Sequence, residues 1–360
     1  MNLLARGARR FLHWTPVRHR VVSAVLILAI AFGSVTNTRR AWAPTAVEYA
    51  VALALVIVAV DTIVRELGVT QPPSSLAAPM SCPVFKGSGT MIGEDDCIWT
   101  KAAGEWNTQS GSTSSTSMLR FGAQKEVAPD WFVGGAFGVG QHWTPNNGGS
   151  PGQVYEGSAA LKHTIGPWLF AGAVAFSSTA LHIAPSGAGV TGDTNVYNGG
   201  LRLRGSYDFD YSGWYVRPRL DLDLLHTWRP GFQLSGSGPA GFGVLNLAVD
   251  GYDKTSFIAT PMVELGGRVD IADKAVLWPY VAAGASFLPD TAMTTTATFN
   301  GPLAVGPVQT SSSSPNVLFD LQAGVQLYKT RGFELKAEYM LMAGDNYLGQ
   351  GASVRGAYHF

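Results

Sequence analysis

From Cys97 to Phe360 the chain alternates apolar and polar residues at every second position, in run after run. Period 2 marks a strand, because successive side chains leave an extended backbone on opposite faces. Val317–Tyr328 shows it best. Val317, Phe319, Leu321, Ala323, Val325 and Leu327 share one face; Asp320, Gln322, Gln326 and Tyr328 share the other with Leu318 and Gly324. In Trp214–Leu224, Val216, Leu220, Leu222 and Leu224 oppose Arg217, Arg219, Asp221 and Asp223. In Tyr197–Tyr207, Leu201 and Leu203 oppose Arg202 and Arg204. In Phe257–Ile271, Phe257, Val263, Leu265 and Val269 oppose Thr260, Glu264, Arg268 and Asp270. In Phe333–Met342, Leu335, Ala337, Tyr339 and Leu341 oppose Glu334, Lys336 and Glu338.

Soluble sandwiches alternate too, so length and spacing decide. The runs are roughly 10 to 14 residues, as a tilted membrane crossing needs, whereas soluble strands average about five or six. The connections alternate as well. Short turns fall near Ala128–Asp130, Ile165–Pro167, Asp210–Gly213, Ala272–Lys274 and Thr330–Gly332. Long ones fall near Gln109–Ser117, His142–Gly152, Ile183–Thr194, Arg229–Asp253 and Asp290–Asn316. The pattern predicts an all-β fold over residues 97–360, a twelve-stranded antiparallel transmembrane β-barrel. The predicted strands are 97–108, 117–127, 131–142, 153–164, 167–181, 195–209, 213–228, 254–271, 275–288, 316–329, 332–343 and 347–360. An even count puts both barrel ends on one side, and the short-turn rule makes that side the periplasm.

Composition agrees. Charged residues are 14% of the chain, against roughly 25% in ordinary soluble domains. Glycines number 43 and the formal net charge is zero, so no basic surface for nucleic acid is expected. Trp99, Trp131, Trp168, Trp214, Trp228, Trp278, Tyr280 and Tyr358 lie near strand ends, as interfacial girdles require.

The chain ahead of the barrel is expected to be mostly helical or disordered, with residues 1–67 a hydrophobic N-terminal region and 68–96 a linker. Arg6, Arg9, Arg10, Arg18 and Arg20 precede an apolar run from Val21 to Phe32, the order of a secretory signal. Ala41-Trp42-Ala43 offers small residues for cleavage, but Pro44 opposes it. A second apolar run, residues 46–67, reads as part of the same signal, as an inner-membrane anchor, or as misread upstream sequence. Residues 68–96 are rich in Pro, Ser and Gly, with no repeat or globular domain expected. The two cysteines, Cys82 and Cys97, fit no zinc-site spacing; in the periplasm they would pair as a disulfide, and free thiols are the alternative.

Little catalytic chemistry is legible. The seven histidines form no metal pair, and GxSxG and P-loop motifs are absent, so neither an enzyme nor a cofactor is expected. His142, His182 and His226 lie near predicted rims among serines. The inward charges are the notable set: Arg202, Arg204, Arg217, Arg219, Asp221 and Asp223, with Glu264, Arg268, Glu334, Lys336 and Glu338 further round. They read as a salt-bridge network filling a wet lumen, or as a surface that holds a linker segment in the pore or sets ion selectivity.

Several stretches resemble the translocator domain of autotransporters, the type V secretion proteins. Cys97-Ile-Trp-Thr-Lys-Ala-Ala-Gly resembles the opening strand, and Gly241–Tyr252 with the strand from Phe257 resembles the middle of the barrel. Leu277-Trp-Pro-Tyr-Val resembles a strand start of that family, and Glu334–Phe360 its closing hairpin. The resemblance implies a Gram-negative outer-membrane barrel in contact with lipid. On the last strand, Ala352, Val354, Tyr358 and Phe360 share one face. The resemblance makes Tyr358 and the terminal Phe360 an assembly signal for the barrel assembly machinery. The chain's own N-terminal segment is a candidate partner inside the pore, on the reading in which the inward charges hold a linker. The chain departs from the family in one respect: about thirty residues separate the second apolar run from the barrel, so a minimal or missing passenger is expected. The alternative is a stand-alone pore or surface barrel meeting ligands through loops Arg229–Asp253 and Asp290–Asn316.

Overall fold

A computed structural model describes residues 82–109, 112–144, 151–185, 189–237, 245–272, 275–299, 307–329 and 332–360. The expectations for residues 1–81, namely the signal, the second apolar run and most of the linker, lie outside the described residues. Twenty strands follow in order. The first two, β1 (Pro83–Phe85) and β2 (Ile92–Glu94), form a small hairpin. Then come β3 (Cys97–Gln109), β4 (Ser112–Ala128), β5 (Trp131–Trp143), β6 (Gly152–Ile165), β7 (Trp168–Ile183) and β8 (Val190–Tyr207), which continues briefly as β9 (Phe209–Asp210). Next are β10 (Trp214–Arg229), β11 (Phe232–Gly236), β12 (Leu245–Val249), β13 (Tyr252–Gly267) and its continuation β14 (Val269–Ala272). The chain ends with β15 (Ala275–Phe287), β16 (Ala292–Phe299), β17 (Val308–Ser313), β18 (Val317–Lys329), β19 (Phe333–Gly344) and β20 (Tyr347–His359).

Twelve of these, β3 to β8, β10, β13, β15, β18, β19 and β20, make a closed antiparallel barrel. Closure comes from β20 against β3, in register from Tyr347↔Gln109 to His359↔Cys97. No long strand is left as an edge in the wall, which is what a membrane requires of β structure. The alternation sorts the two faces as read from the sequence. Leu201, Leu203, Leu220, Leu224, Val263, Leu265, Phe319 and Leu335 are exposed on the outside. Arg120, Lys162, Asp221, Asp223, Glu264, Glu334 and Arg355 are buried inside. A water-soluble protein would reverse this; a lipid-facing band explains it.

One end of the barrel carries tight turns, among them Pro129–Asp130 and Gly166–Pro167, with Asp130 and Gly166 at positive φ. Most of the larger connections lie at the other end. Several differ from expectation. Residues 112–117 belong to β4, since β3 and β4 pair as far as Gln109↔Ser112, so the loop expected at Gln109–Ser117 is mostly strand. The Arg229–Asp253 and Asp290–Asn316 connections are not open loops either. They carry β11, β12, β16 and β17, which pair in the order β8–β11–β12–β16–β17. Leu234, Leu247, Val249, Ala297 and Phe299 of this extension pack with Leu181, Ile183, Val190 and Val196 into an apolar core at the loop end. Pro230–Gly231 interrupts β10 from β11, and a Cβ at Gly231 would crowd the Val249 carbonyl and the Gly251 nitrogen.

Three girdle assignments also change. Trp99, Trp278 and Tyr280 face the lumen, with Trp99 and Trp278 buried. Trp99 lies over Gly122, where any Cβ would collide with its ring. Trp131, Trp168, Trp214 and Tyr358 remain exposed on the outer face.

Candidate functional site: the plugged lumen

Residues 82–96, expected as linker without structure, fold back as the β1–β2 hairpin inside the turn end of the barrel. Lys86-Gly-Ser-Gly-Thr90 makes the reversal, with Gly87 at φ 65°. A lone two-stranded hairpin is marginal in water, so its order must come from the wall. Ile92 is buried against Tyr215 and Trp278, and the Phe85 ring packs tilted against Trp278 at 4.6 Å between centroids. The Trp278 indole N–H donates to the Tyr215 hydroxyl at 2.7 Å, and that hydroxyl donates to Glu264 at 2.5 Å.

Polar ties surround the hairpin. The Lys162 ammonium donates to Glu94 at 3.1 Å, and Gln124 Nε2 donates to the same carboxylate at 2.9 Å. The Cys82 N–H donates to it at 3.0 Å. Burial alone would raise the Glu94 pKa; the Lys162 charge and these donors outweigh it and hold the carboxyl below the usual carboxylate range. Across the barrel, the Thr90 hydroxyl bonds Asp210, and the Ile92 N–H donates to Asp208 at 3.3 Å. Arg268 donates to the carbonyls of Gly87 and Gly89 at 2.8 and 3.1 Å. Gln326 donates to the Pro83 carbonyl at 3.2 Å. Cys82 and Cys97 are joined as a disulfide, with Cα atoms 6.1 Å apart, and lie buried with Trp99, Ala160 and Ala357.

The inward charges divide into groups. Arg202 donates bidentately to Asp223 at 2.6 and 2.8 Å, and Arg204 does the same to Asp221. These are cross-strand partners, Arg202↔Asp223 and Arg204↔Asp221, so register alone aligns each guanidinium with its carboxylate. Arg217 reaches Asp208 and, at 3.7 Å, Glu264. Arg219 is 3.7 Å from Asp221 and donates to Gln322 at 3.3 Å. Lys336 pairs with Glu338 at 2.9 Å, and Lys101 approaches Glu338 at 3.8 Å. Glu334 belongs elsewhere: it is fully buried near the turn end with Arg355 at 3.0 Å and His359 at 2.8 Å. Arg268 is separate too, held by Asp270 and the hairpin carbonyls rather than by the central group. Between hairpin and loop end a cavity of about 240 Å³ remains, lined among others by Glu94, Lys101, Glu105, Arg202, Arg219 and Glu338.

Sequence reading missed Glu94, Gln124, Lys162, Asp208 and Asp210. Lys162 carried a usable signal, a cation alternating with outward Leu161 in a run otherwise poor in charge. For the hairpin the signal was a Gly-Ser-Gly turn between Val84-Phe85 and Met91-Ile92. Among the described residues no group of three His, Cys, Asp or Glu side chains is placed to hold a metal.

The family model of the autotransporter β-domain matches residues 98–340. Among solved structures, the translocator domain of the autotransporter NalP from Neisseria meningitidis superposes with a TM-score of 0.58 at 14% identity, over 74% of this chain and 89% of that one. The β-domain of the Bordetella autotransporter BrkA gives 0.53 at 19% identity, over 74% of this chain and all of that one. No curated protein sequence matches.

Proposed function

The chain belongs to the autotransporter β-domain family and is a barrel of the Gram-negative outer membrane in contact with lipid, and on that premise we propose that residues 82–96 are its plug. In this reading the plug closes a translocator-type pore from the turn end, the turn end and both barrel termini are periplasmic, and the lumen charges grip the segment that lies in the pore. The observation that carries it is Glu94, a plug carboxylate met by Lys162 and Gln124 of the wall. A charge taken out of water persists only when paired, so the wall is built to receive this segment. The central Arg–Asp pairs compensate one another, which favours a scaffold that keeps the lumen open over a fixed ion filter. Tyr358 and Phe360, exposed on the outer face of the last strand, suit recognition by the barrel assembly machinery.

Single-channel recording in planar bilayers tests the plug. The wild-type barrel should stay near closed and a variant lacking residues 83–94 should conduct steadily; equal currents would sink the reading. A label placed at Asp345, exposed in the turn between β19 and β20, should react on intact cells, and one after Pro129 should react only once the outer membrane is opened. The reverse pattern would invert the orientation.

A second reading has one observation in its favour. The connections Arg229–Asp253 and Asp290–Asn316 form a sheet with its own apolar core, a surface rigid enough to meet a ligand or partner outside the cell. Replacing β16–β17 by a short turn while barrel assembly continues would separate that role from the pore.

A further inference from the structure

We infer that the Cys82–Cys97 disulfide is a latch, deciding whether residues 82–96 fold back as the plug or run extended through the barrel. The inference rests on the plug reading and adds the control of that plug.

Geometry makes both states accessible to the same residues. Cys82 and Cys97 are 15 residues apart in sequence. At about 3.4 Å per residue the extended segment reaches roughly 50 Å, about twice the ~25 Å apolar band of such a barrel. With the bond in place its ends are 6.1 Å apart, and only the folded-back form is possible. The hairpin pairs through only three residue couples, Pro83↔Glu94, Val84↔Gly93 and Phe85↔Ile92. Beyond the peptide bond into β3, the disulfide is the covalent link that keeps Cys82 beside Cys97; the Cys82 N–H bond to Glu94 and the Asp95 N–H bond to the Cys82 carbonyl support it but can be exchanged for water.

Both cysteines are fully buried, behind Trp99, Ala160 and Ala357. A protein oxidant cannot reach them in the closed barrel, so the bond is made before closure. In that step two thiols release two protons and pass two electrons to the disulfide of a thiol oxidant, which leaves as a dithiol. A chain oxidised at this stage inserts with its plug locked; a chain still reduced inserts with the segment free to extend.

The test compares the full chain with its Cys82→Ser/Cys97→Ser variant, both carrying an epitope ahead of Cys82. Heat-modifiable migration on gels selects folded barrels. The wild type, refolded with and without dithiothreitol, gives a second route if the variant folds poorly. Dithiothreitol takes the two electrons' part in reverse, closing to its own cyclic disulfide while the cysteines become thiols. The expected result is a several-fold rise in steady current for the unlatched barrels and surface labelling of the epitope on intact cells only in the variant. Unlatched folded barrels as closed as the wild type, with the epitope as hidden, would overturn the latch and leave the plug standing. A wild-type barrel that already conducts fully would overturn the plug itself.

Discussion

Glu94 and Lys162 meet inside the barrel at 3.1 Å, one from the hairpin and one from the sixth strand, with both side chains almost wholly out of water. They are 68 residues apart in the chain, and nothing local forces the encounter.

Removing one partner leaves the other charged in a dry place. Lys162→Met should therefore destabilise the seated plug by about 3–5 kcal/mol. The double variant Glu94→Gln/Lys162→Met should recover much of this, because no orphan charge remains. Flicker in single-channel current and urea midpoints of the folded band measure both. Equal behaviour of single and double variants would show that the pair does not hold the plug.

Acid should loosen the plug in a defined direction. The Glu94 carboxyl is held below its ordinary value of 4.5 in the folded protein. Its contribution is therefore complete above about 4.5 and is lost as pH falls through the lowered value. Closed wild-type channels should begin to open only in strongly acidic buffer, and Glu94→Gln should lack that transition. An opening at neutral pH, or one retained in the variant, would place the titrating group elsewhere.

The Arg202–Asp223 and Arg204–Asp221 pairs neutralise each other, so opening the barrel should reveal weak selectivity. In a variant lacking residues 83–94, adding Arg204→Gln removes the bidentate partner of Asp221, leaving Arg219 at 3.7 Å and Arg202 at 3.9 Å, and the lost positive charge should shift the reversal potential towards cations. An unmoved reversal potential would mean that permeating ions do not pass this wall.

At the other end of the chain, Phe360→Ser with Tyr358→Ser should reduce the heat-modifiable fraction recovered in the outer membrane. Refolding in detergent, where no assembly machinery acts, should be affected far less. A matching loss in both would make these side chains packing elements rather than a signal.

The twelve strands and the inner charges were legible because a membrane barrel writes its two faces in strict alternation. Leu201 and Leu203 against Arg202 and Arg204 needs no partner to be read. Parity could also have corrected the girdle. Trp99 shares the inner face of Cys97 and Lys101, and Trp278 that of Tyr280 and Ser286, whereas distance along the strand alone points both at the interface. The plug was out of reach for a different reason. Glu94 meets Lys162 and Gln124, Thr90 meets Asp210, and Arg268 meets Gly87 through contacts that exist only after the ring has closed. The same holds for the loop-end core, where Leu234 and Phe299 find Ile183 and Val190 across residues that look like polar loop.

The disulfide also sets a load path. Tension applied to the chain ahead of Cys82 passes through the sulfur bridge into Cys97, and from there along the seam where His359 faces Cys97. The hairpin is shunted and bears none of it. Traction from upstream therefore cannot unseat the plug while the bridge stands; it pulls on the barrel wall as a whole.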